Sequence, residues 1–287
     1  MILIQGLLEP FSHAFMVRGL AAAIMVGIVC PVLGTYVVLR GMAFFGDALA
    51  HIVLPGVVLA FLLGWPVAIG ALAAGISAAL VIGRLSQRGR VAEDTAIGVV
   101  FAGAFALGVA MLSVRGSYAV DLTHILFGDL LGVRGVDLWL IAGLGLGVLV
   151  TIAAFYKEFM VISFDPLLAT TLRLPVTWLR NLMLVLLAVV IVVSLQAVGV
   201  ALVLAMLVTP AATATLITRR LIWVMILAAV IGAGSSLAGL YLSYYLNLAS
   251  GPAIVLAATA VFGVVYAVVG RRDRTSGMIV RSPASDG

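Results

Sequence analysis

The sequence predicts an all-α protein that crosses a membrane about eight or nine times. Of its 287 residues, 64% are hydrophobic and only 9% are charged, a composition that soluble domains do not have. Apolar runs of about 18 residues recur along the chain, and about 20 helical residues cross the core of a bilayer. Because every backbone polar group in lipid needs an internal partner, these runs indicate membrane-spanning helices.

Nine candidate spans follow in order along the chain. Their expected bounds are 16–39, 47–63, 66–82, 96–114, 138–155, 179–195, 198–217, 221–246 and 252–269. If one early segment were re-entrant, one crossing would be lost, so the side on which the N-terminus lies stays open. No small-residue cleavage site follows the first apolar run, which is therefore expected to remain as an anchor.

This pattern divides the chain into three parts. Residues 1–15 form an N-terminal segment, residues 16–270 form the membrane domain, and residues 271–287 form a cytoplasmic tail. The polar composition of the tail predicts disorder near SPASDG.

The net charge of +5 is carried by arginines in short loops beside the spans, which favours a role in membrane orientation over nucleic-acid binding. The positive-inside rule places three clusters in the cytoplasm, namely Arg84, Arg88 and Arg90; Arg219 and Arg220; and Arg271, Arg272 and Arg274. Even numbers of spans separate the clusters, so the assignment is self-consistent. The same parity places the loop 157–178 in the cytoplasm.

The stretch GDALAH puts Asp47 and His51 four residues apart in an apolar run. On an α-helix this spacing sets two side chains about 40° apart, one turn above the other. Pro55 has no N–H to donate to the carbonyl of His51, which predicts a kinked or loosened helix. A carboxylate in hydrocarbon costs about 2.5–3.5 kcal/mol or more, so Asp47 needs a partner, a cavity or a function.

A carboxylate and an imidazole together suit Mn²⁺, Zn²⁺ or Fe²⁺. Two ligands make a poor site, and a twofold homodimer would supply four. Spacing alone supports an alternative equally well, in which Asp47 caps a helix beginning near Gly46 and His51 hydrogen-bonds to a neighbouring helix. The lone histidines His13 and His124 are expected to be structural or exposed.

Two further polar or glycine-rich features have structural explanations. Glu93 and Asp94 precede a span, where negative charge favours a helix N-terminus. A glycine series inside another span lacks the preceding strand that a phosphate loop requires. Close helix packing is therefore expected for Gly143, Gly145 and Gly147.

The cytoplasmic stretch SFDPLLATTLRLP predicts a short helix. Asp165 can cap it, Pro166 suits its first position, and Pro175 limits it after Leu174. Such a helix is either an interfacial connector or a segment that fills a groove on a cytoplasmic partner. Local sequence does not choose between these roles.

Several motifs, taken in order, resemble the permeases of bacterial zinc, manganese and iron ABC importers. They are VLRGMAFFGDALAHIVLPGVVLAFLLG, AEDTAIGVVFAGAFALGV, DLTHILFGDLLGV, SFDPLLATTLRLP, ALVLAMLVTPAATATLIT and GLYLSYYLNLASGPAIVL. The resemblance implies a type II ABC importer-like fold in the bacterial inner membrane, assembled as a homodimer. It also implies an extracytoplasmic metal-binding protein and two cytoplasmic ABC ATPase subunits as partners.

The resemblance also assigns roles to residues. Asp47 and His51 fall at the family's metal-pathway positions, as transient ligands or a gate for a transported Mn²⁺, Zn²⁺ or Fe²⁺ ion, with no permanently bound cofactor. Similar permeases commonly have glycine where this chain has Arg173. The segment that couples to the ATPase would comprise Phe164, Asp165, Pro166, Leu167, Leu168, Ala169, Thr170, Thr171, Leu172, Arg173, Leu174 and Pro175.

The resemblance implies that ATP hydrolysis belongs to a separate subunit. The only lysine, Lys157, has no preceding glycine loop, so the chain lacks a Walker A motif. One alternative is a stand-alone secondary transporter in which Asp47 and His51 relay protons or couple an ion gradient. A second alternative, an intramembrane hydrolase, lacks both an HExxH helix and a GxSxG elbow.

Overall fold

A computed structural model describes residues 14–87, 91–113 and 130–279, and within these ranges all regular elements are helical. A short 3₁₀ turn, Leu130–Gly132, precedes the sixth of the α-helices. In chain order the α-helices are α1 (Ala14–Leu39), α2 (Phe44–Ile52), α3 (Leu54–Leu62), α4 (Val67–Ser86), α5 (Glu93–Ser113), α6 (Gly135–Ala154), α7 (Tyr156–Phe164), α8 (Pro166–Thr171), α9 (Val176–Val198), α10 (Val200–Ile217), α11 (Leu221–Leu246) and α12 (Ser250–Ile279).

The described residues contain nine spans that are long and apolar enough to cross a membrane, which confirms the expected number. Helices α2 and α3 together form one of them, Phe44–Leu62. Most predicted bounds lie within a few residues of the observed ones. The largest difference is at α12, which continues as helix to Ile279; the stretch SPASDG lies outside the described residues.

Helices α1 and α9 form the centre of the bundle. In their most apolar windows, 67% and 72% of the residues are buried, against 17% in α5 and in α12. Around this centre, α1 packs against α10 and α11, and α9 packs against α4. The outer helices therefore expose large apolar side chains, as expected of surfaces that face lipid.

Glycines allow the central helices to approach closely. A Cβ atom on Gly27 of α1 would lie 2.8 Å from the carbonyl oxygen of Gly232 in α11, closer than real Cβ atoms come. A Cβ atom on Gly145 of α6 would lie 3.0 Å from a methyl carbon of Val29 in α1. The expectation of close packing is wrong for Gly143 and Gly147, which have open space around them because they lie on the outward face of a mostly exposed helix.

Four helix ends meet at one end of the bundle. Arg40 follows α1 and pairs with Glu93 at the start of α5, with Nη2 and Oε2 2.8 Å apart. Arg180 of α9 donates to the carbonyl oxygen of Ser86 in α4 at 3.4 Å. These ends lie on the side that the arginine clusters assign to the cytoplasm, so the geometry agrees with the parity argument.

Helix-end electrostatics accounts for Glu93 only in part. The residue does begin α5, but its carboxylate also forms an ion pair with Arg40. Burial lowers the pKa of Arg40, Glu93 opposes this shift, and nearby Arg180 adds to it. Since arginine stays protonated in proteins, the Glu93 carboxylate stabilises the positive charge of a partly buried Arg40. Asp94 is exposed.

Candidate metal pathway and cytoplasmic docking helix

The span that carries Asp47 and His51 is interrupted in its middle. Helix α2 ends at Ile52 and α3 begins at Leu54, with Pro55 in the first turn of α3. The Val53 N–H reaches the carbonyl of Leu49 over 3.3 Å. Because a proline cannot donate the bond that would continue the helix, the sequence prediction of a loosened helix is confirmed.

Asp47 does not cap its helix. Helix α2 begins at Phe44, its N-cap is Ala43, and no side chain provides a capping hydrogen bond. Among the residues that the structure describes, the hydrogen bond of His51 lies within its own helix and reaches no neighbouring helix. The alternative of a capping Asp47 and a bridging His51 is therefore wrong.

The hydrogen bond of His51 determines which ring nitrogen can bind a metal. The Nδ1 atom lies 2.9 Å from the carbonyl oxygen of Asp47. A carbonyl oxygen only accepts hydrogen bonds, so Nδ1 carries the proton in the neutral ring and Nε2 keeps the lone pair. This arrangement, in which one nitrogen is held by a carbonyl, is common among metal-binding histidines.

The two side chains lie close together and remain accessible. The Oδ1 atom of Asp47 lies 3.9 Å from Nδ1 of His51, and the side chains of His51 and Asp47 are 31% and 41% exposed. Among the described residues, no group of three histidine, cysteine, aspartate or glutamate side chains could hold a metal ion. One chain therefore presents two candidate ligands, which are too few to complete the coordination of a metal ion.

An aromatic wall on α5 borders His51. The rings of Phe101 and Phe105 each lie 5.9 Å from the imidazole, in edge-on contact, and also stack on each other at 5.9 Å. Phe44 at the start of α2 contacts Phe101 at 6.0 Å. The wall lowers water access on this side of His51. The four-residue spacing of Phe101 and Phe105 was a signal that the sequence analysis missed.

A cavity of about 50 Å³ adjoins His51. His51 and Gln196 are among the residues that line it, but the lining surface is almost wholly apolar, with Phe105 and Val57 among its members. Gln196, a polar residue in the last turn of α9, was also missed.

The predicted cytoplasmic helix is present as α8. The Oδ1 atom of Asp165 accepts hydrogen bonds from the N–H groups of Leu167 at 3.0 Å and Leu168 at 2.9 Å, and Pro166 occupies the first helical position. This is the cap and start that the sequence predicts.

The end of α8 is built around Arg173. Its φ is +57°, the left-handed conformation that favours glycine. Its N–H bonds to the carbonyl of Thr170, and the N–H of Leu174 bonds to that of Ala169, each at 3.0 Å. The departure from glycine at this position therefore leaves the helix terminus intact, although the backbone conformation is costly for a side chain.

The surface of α8 is apolar, although the arginine clusters predict that this segment lies outside the membrane. Ala169 is fully buried and anchors the helix. Four large side chains on α8 and directly beside it are exposed, with Leu167 reaching 79%. They are Phe164, Leu167, Leu168 and Leu172.

Of the other histidines in the sequence, His13 and His124 lie outside the described residues. The arginines 88 and 90 of the first basic cluster also lie outside them.

Comparisons with known proteins match nearly the whole chain. The model of the ABC 3 transport family matches residues 12–269. The manganese transport system membrane protein MntC of Halalkalibacterium halodurans is 46% identical, over 90% of this chain and 88% of its own length. The chelated iron transport system membrane protein YfeD of Yersinia pestis is 43% identical, over 86% and 83%.

The fold of this chain is also similar to that of a solved structure. PsaBC from Streptococcus pneumoniae, determined in complex with a Fab, superimposes with a TM-score of 0.79 at 39% identity. The alignment covers 93% of this chain and 95% of that one.

Proposed function

Because the chain belongs to the ABC 3 transport family, we propose that it carries a divalent transition-metal ion, Mn²⁺ or Fe²⁺ in the first place, past Asp47 and His51. The chain is a multi-pass bacterial membrane protein and a permease of the metal ABC importer family. It is not itself an enzyme, and ATP hydrolysis is carried out by a separate ATPase. Relatives named for manganese and for chelated iron transport support the choice of cargo.

One observation carries the proposed pathway. Asp47 and His51 lie in the helix that precedes a break in a membrane span, both side chains are partly exposed, and His51 lines a cavity. An ionisable residue in such a position is costly unless it serves an ion or proton route. Irregular backbone at membrane depth is likewise tolerated where it lines a cavity.

The small number of ligands in one chain, Asp47 and His51, supports a homodimer. Two copies related by a twofold axis would bring two carboxylates and two imidazoles to one pathway, and the two aspartates would balance a divalent charge. Each Nε2 is left unprotonated by the bond from Nδ1 to Asp47, so both rings can donate to the ion. The ion would exchange part of its hydration for these groups during passage.

The transport test uses vesicles that contain the permease, the ATPase and the metal-binding protein. We expect Asp47→Ala and His51→Ala to abolish ATP-dependent uptake of Mn²⁺, while dimerisation and ATPase binding stay normal because both side chains are partly exposed. Asp94→Ala, an exposed carboxylate at the start of α5, is the matched control and should transport normally. Normal uptake in both site variants would reject the pathway.

We also propose that α8 is the coupling helix, and that its exposed apolar side chains enter a groove on the ATPase. Replacing Leu167, the most exposed of them, by Asp should weaken ATPase binding and uncouple ATP hydrolysis from uptake. Gln87→Asp, on an exposed residue that follows α4, is a control outside this loop. Unchanged affinity and uptake in Leu167→Asp would exclude the role.

A further inference from the structure

Helix α5 runs along the interrupted span and contacts both of its halves. Just before α2 begins, Arg40 pairs with Glu93, the first residue of α5. After the break, a Cβ atom on Gly108 of α5 would lie 2.8 Å from the side chain of Leu54, the first residue of α3. The continuous helix α5 therefore bridges the break at Val53 and sets the position of each half along its own length.

The aromatic wall of α5 lies between these two contacts and borders the imidazole of His51. Phe101 and Phe105 are four residues apart, so both rings project from one face of α5. Ile97, one turn earlier on the same face, is fully buried and anchors α5 in the main core. The planes of the two phenyl rings lie 81° and 74° from the plane of the imidazole and only 25° from each other. The two rings therefore meet the imidazole as one surface.

A histidine ring needs outside contacts to keep one orientation. Rotation about its Cβ–Cγ bond has a broad, roughly two-fold profile, so covalent geometry alone does not fix the ring. The hydrogen bond between Nδ1 and the carbonyl of Asp47 restrains one edge of His51 from its own helix. The contacts with Phe101 and Phe105 restrain the same ring from a second helix. The imidazole is thus held from two independent directions.

We infer that Phe101 and Phe105 are positioning residues for His51, which keep its Nδ1 on the carbonyl of Asp47 and thereby keep Nε2 available to the metal ion. The inference rests on the proposed function and deepens it by naming the residues that set the geometry of the ligand. The phenyl rings act through His51 and do not bind the ion. Without them the imidazole can rotate about its Cβ–Cγ bond, which breaks the Nδ1 hydrogen bond and redirects Nε2.

The first test observes the imidazole without metal, in the purified complex of permease and ATPase labelled with ¹⁵N-histidine. Nuclear magnetic resonance shifts of the ring nitrogens distinguish the two neutral tautomers at alkaline pH, and His51→Ala assigns the signals. We expect His51 of the parent protein to be protonated on Nδ1 only. The double variant Phe101→Leu, Phe105→Leu should show a mixture of the two tautomers, because the ring no longer has one favoured orientation.

The second test measures Mn²⁺ binding to the same complex by electron paramagnetic resonance, which distinguishes the bound ion from the free ion. An edge-on ring contact changes an equilibrium by a factor of about 2 to 10. Phe101→Leu and Phe105→Leu each remove one such contact. We therefore expect each of them to weaken Mn²⁺ binding by about 2- to 10-fold for every imidazole that binds the ion, and the double variant to weaken it further.

Matched variants separate positioning from packing. Phe105→Tyr keeps the ring, and its hydroxyl has room because Phe105 is 39% exposed, so the parent tautomer and affinity should be retained. Phe262→Leu removes a ring from a stacked pair in α12, 6.1 Å from Tyr266, and should change neither measurement. If the double variant does not assemble, Phe105→Leu alone serves in both tests.

The outcomes distinguish failure of the inference from failure of the proposed function. An unchanged tautomer in the leucine variants, or equal losses of binding in Phe105→Leu and Phe105→Tyr, would overturn the inference. If His51→Ala loses Mn²⁺ binding and the leucine variants do not, only the role of the two rings is rejected. If His51→Ala binds Mn²⁺ normally, the proposed function is wrong, and the tautomer measurement still decides whether the rings hold the imidazole.

Discussion

Two helix contacts inside the same bundle are built in opposite ways. Where α1 crosses α11, both helices are continuous, and the backbones of Gly27 and Gly232 meet without room for a Cβ atom. Where the α2–α3 span approaches the end of α9, the span is interrupted at Val53 and a cavity lies between the two elements. Ser236 closes the first contact by bonding to the carbonyl of Ala23 at 2.9 Å.

The difference shows how one membrane protein can combine a rigid helix contact, between α1 and α11, with a region that accommodates polar side chains, beside the α2–α3 break. The glycine contact between α1 and α11 gains dispersion energy from close approach, although Pro31 in α1 has no N–H to donate to the carbonyl of Gly27. Interrupted helices lose backbone bonds, and the structure tolerates this loss beside a cavity. The polar side chains His51 and Gln196 occur at the second kind of contact.

The stability of the protein should be most sensitive to volume added at the α1–α11 contact, between Gly27 and Gly232. Gly232→Leu places a side chain against the backbone of Gly27 and should destabilise the protein by about 3 kcal/mol or more, since overpacking forces backbone shifts. Thermal unfolding in detergent measures the effect. Gly143→Leu, in another span but with open space around it, is the control and should unfold like the parent.

If Gly232→Leu and Gly143→Leu had the same stability, the α1–α11 contact would not be a rigid frame, and the contrast with the cavity would fail.

A smaller effect is expected at the Arg40–Glu93 pair, which ties the end of α1 to the start of α5 beside the interrupted span. Glu93→Gln should cost about 1–3 kcal/mol because it leaves a half-buried guanidinium poorly paired. Adding Arg40→Met should recover part of this loss in a double-mutant cycle. Asp94→Asn is the exposed control. Additive costs in the cycle would show that the pair is not a direct interaction.

The smallest effect is expected at the end of α8. Arg173→Gly should stabilise this terminus by about 1 kcal/mol, because glycine adopts positive φ without the side-chain cost. Hydrogen exchange at the N–H groups of Arg173 and Leu174 should slow accordingly. Lys157→Gly in α7, where no left-handed residue occurs, should instead speed local exchange. Unchanged or faster exchange in Arg173→Gly would contradict the assigned strain.

Local rules predicted the features that depend on neighbouring residues. The nine spans, the loosened helix at Pro55 and the cap of α8 at Asp165 all follow from periodicity, proline chemistry and side-chain capping. Asp47 and His51 could be proposed as a pair because their spacing alone places them on one helix face.

Features that depend on distant segments could not be predicted in this way. Arg40 and Glu93 are 53 residues apart in sequence, and only the tertiary fold brings them together. Gln196 and His51 line one cavity for the same reason. Periodicity also could not tell that Gly145 faces α1 while Gly143 and Gly147 face outward, since a uniformly apolar helix gives no sign of its buried side.

The central claim is that the metal ion passes His51. The most direct test measures the coupling between bound Mn²⁺ and histidine nitrogen by electron–nuclear double resonance. The sample is the permease dimer, prepared with ¹⁵N-labelled histidine. The sequence contains three histidines, so His51→Ala, His13→Ala and His124→Ala assign the signal completely. We predict a histidine nitrogen coupling that disappears only in His51→Ala. A coupling that persists in His51→Ala, or its absence from the parent protein, would contradict metal passage at His51.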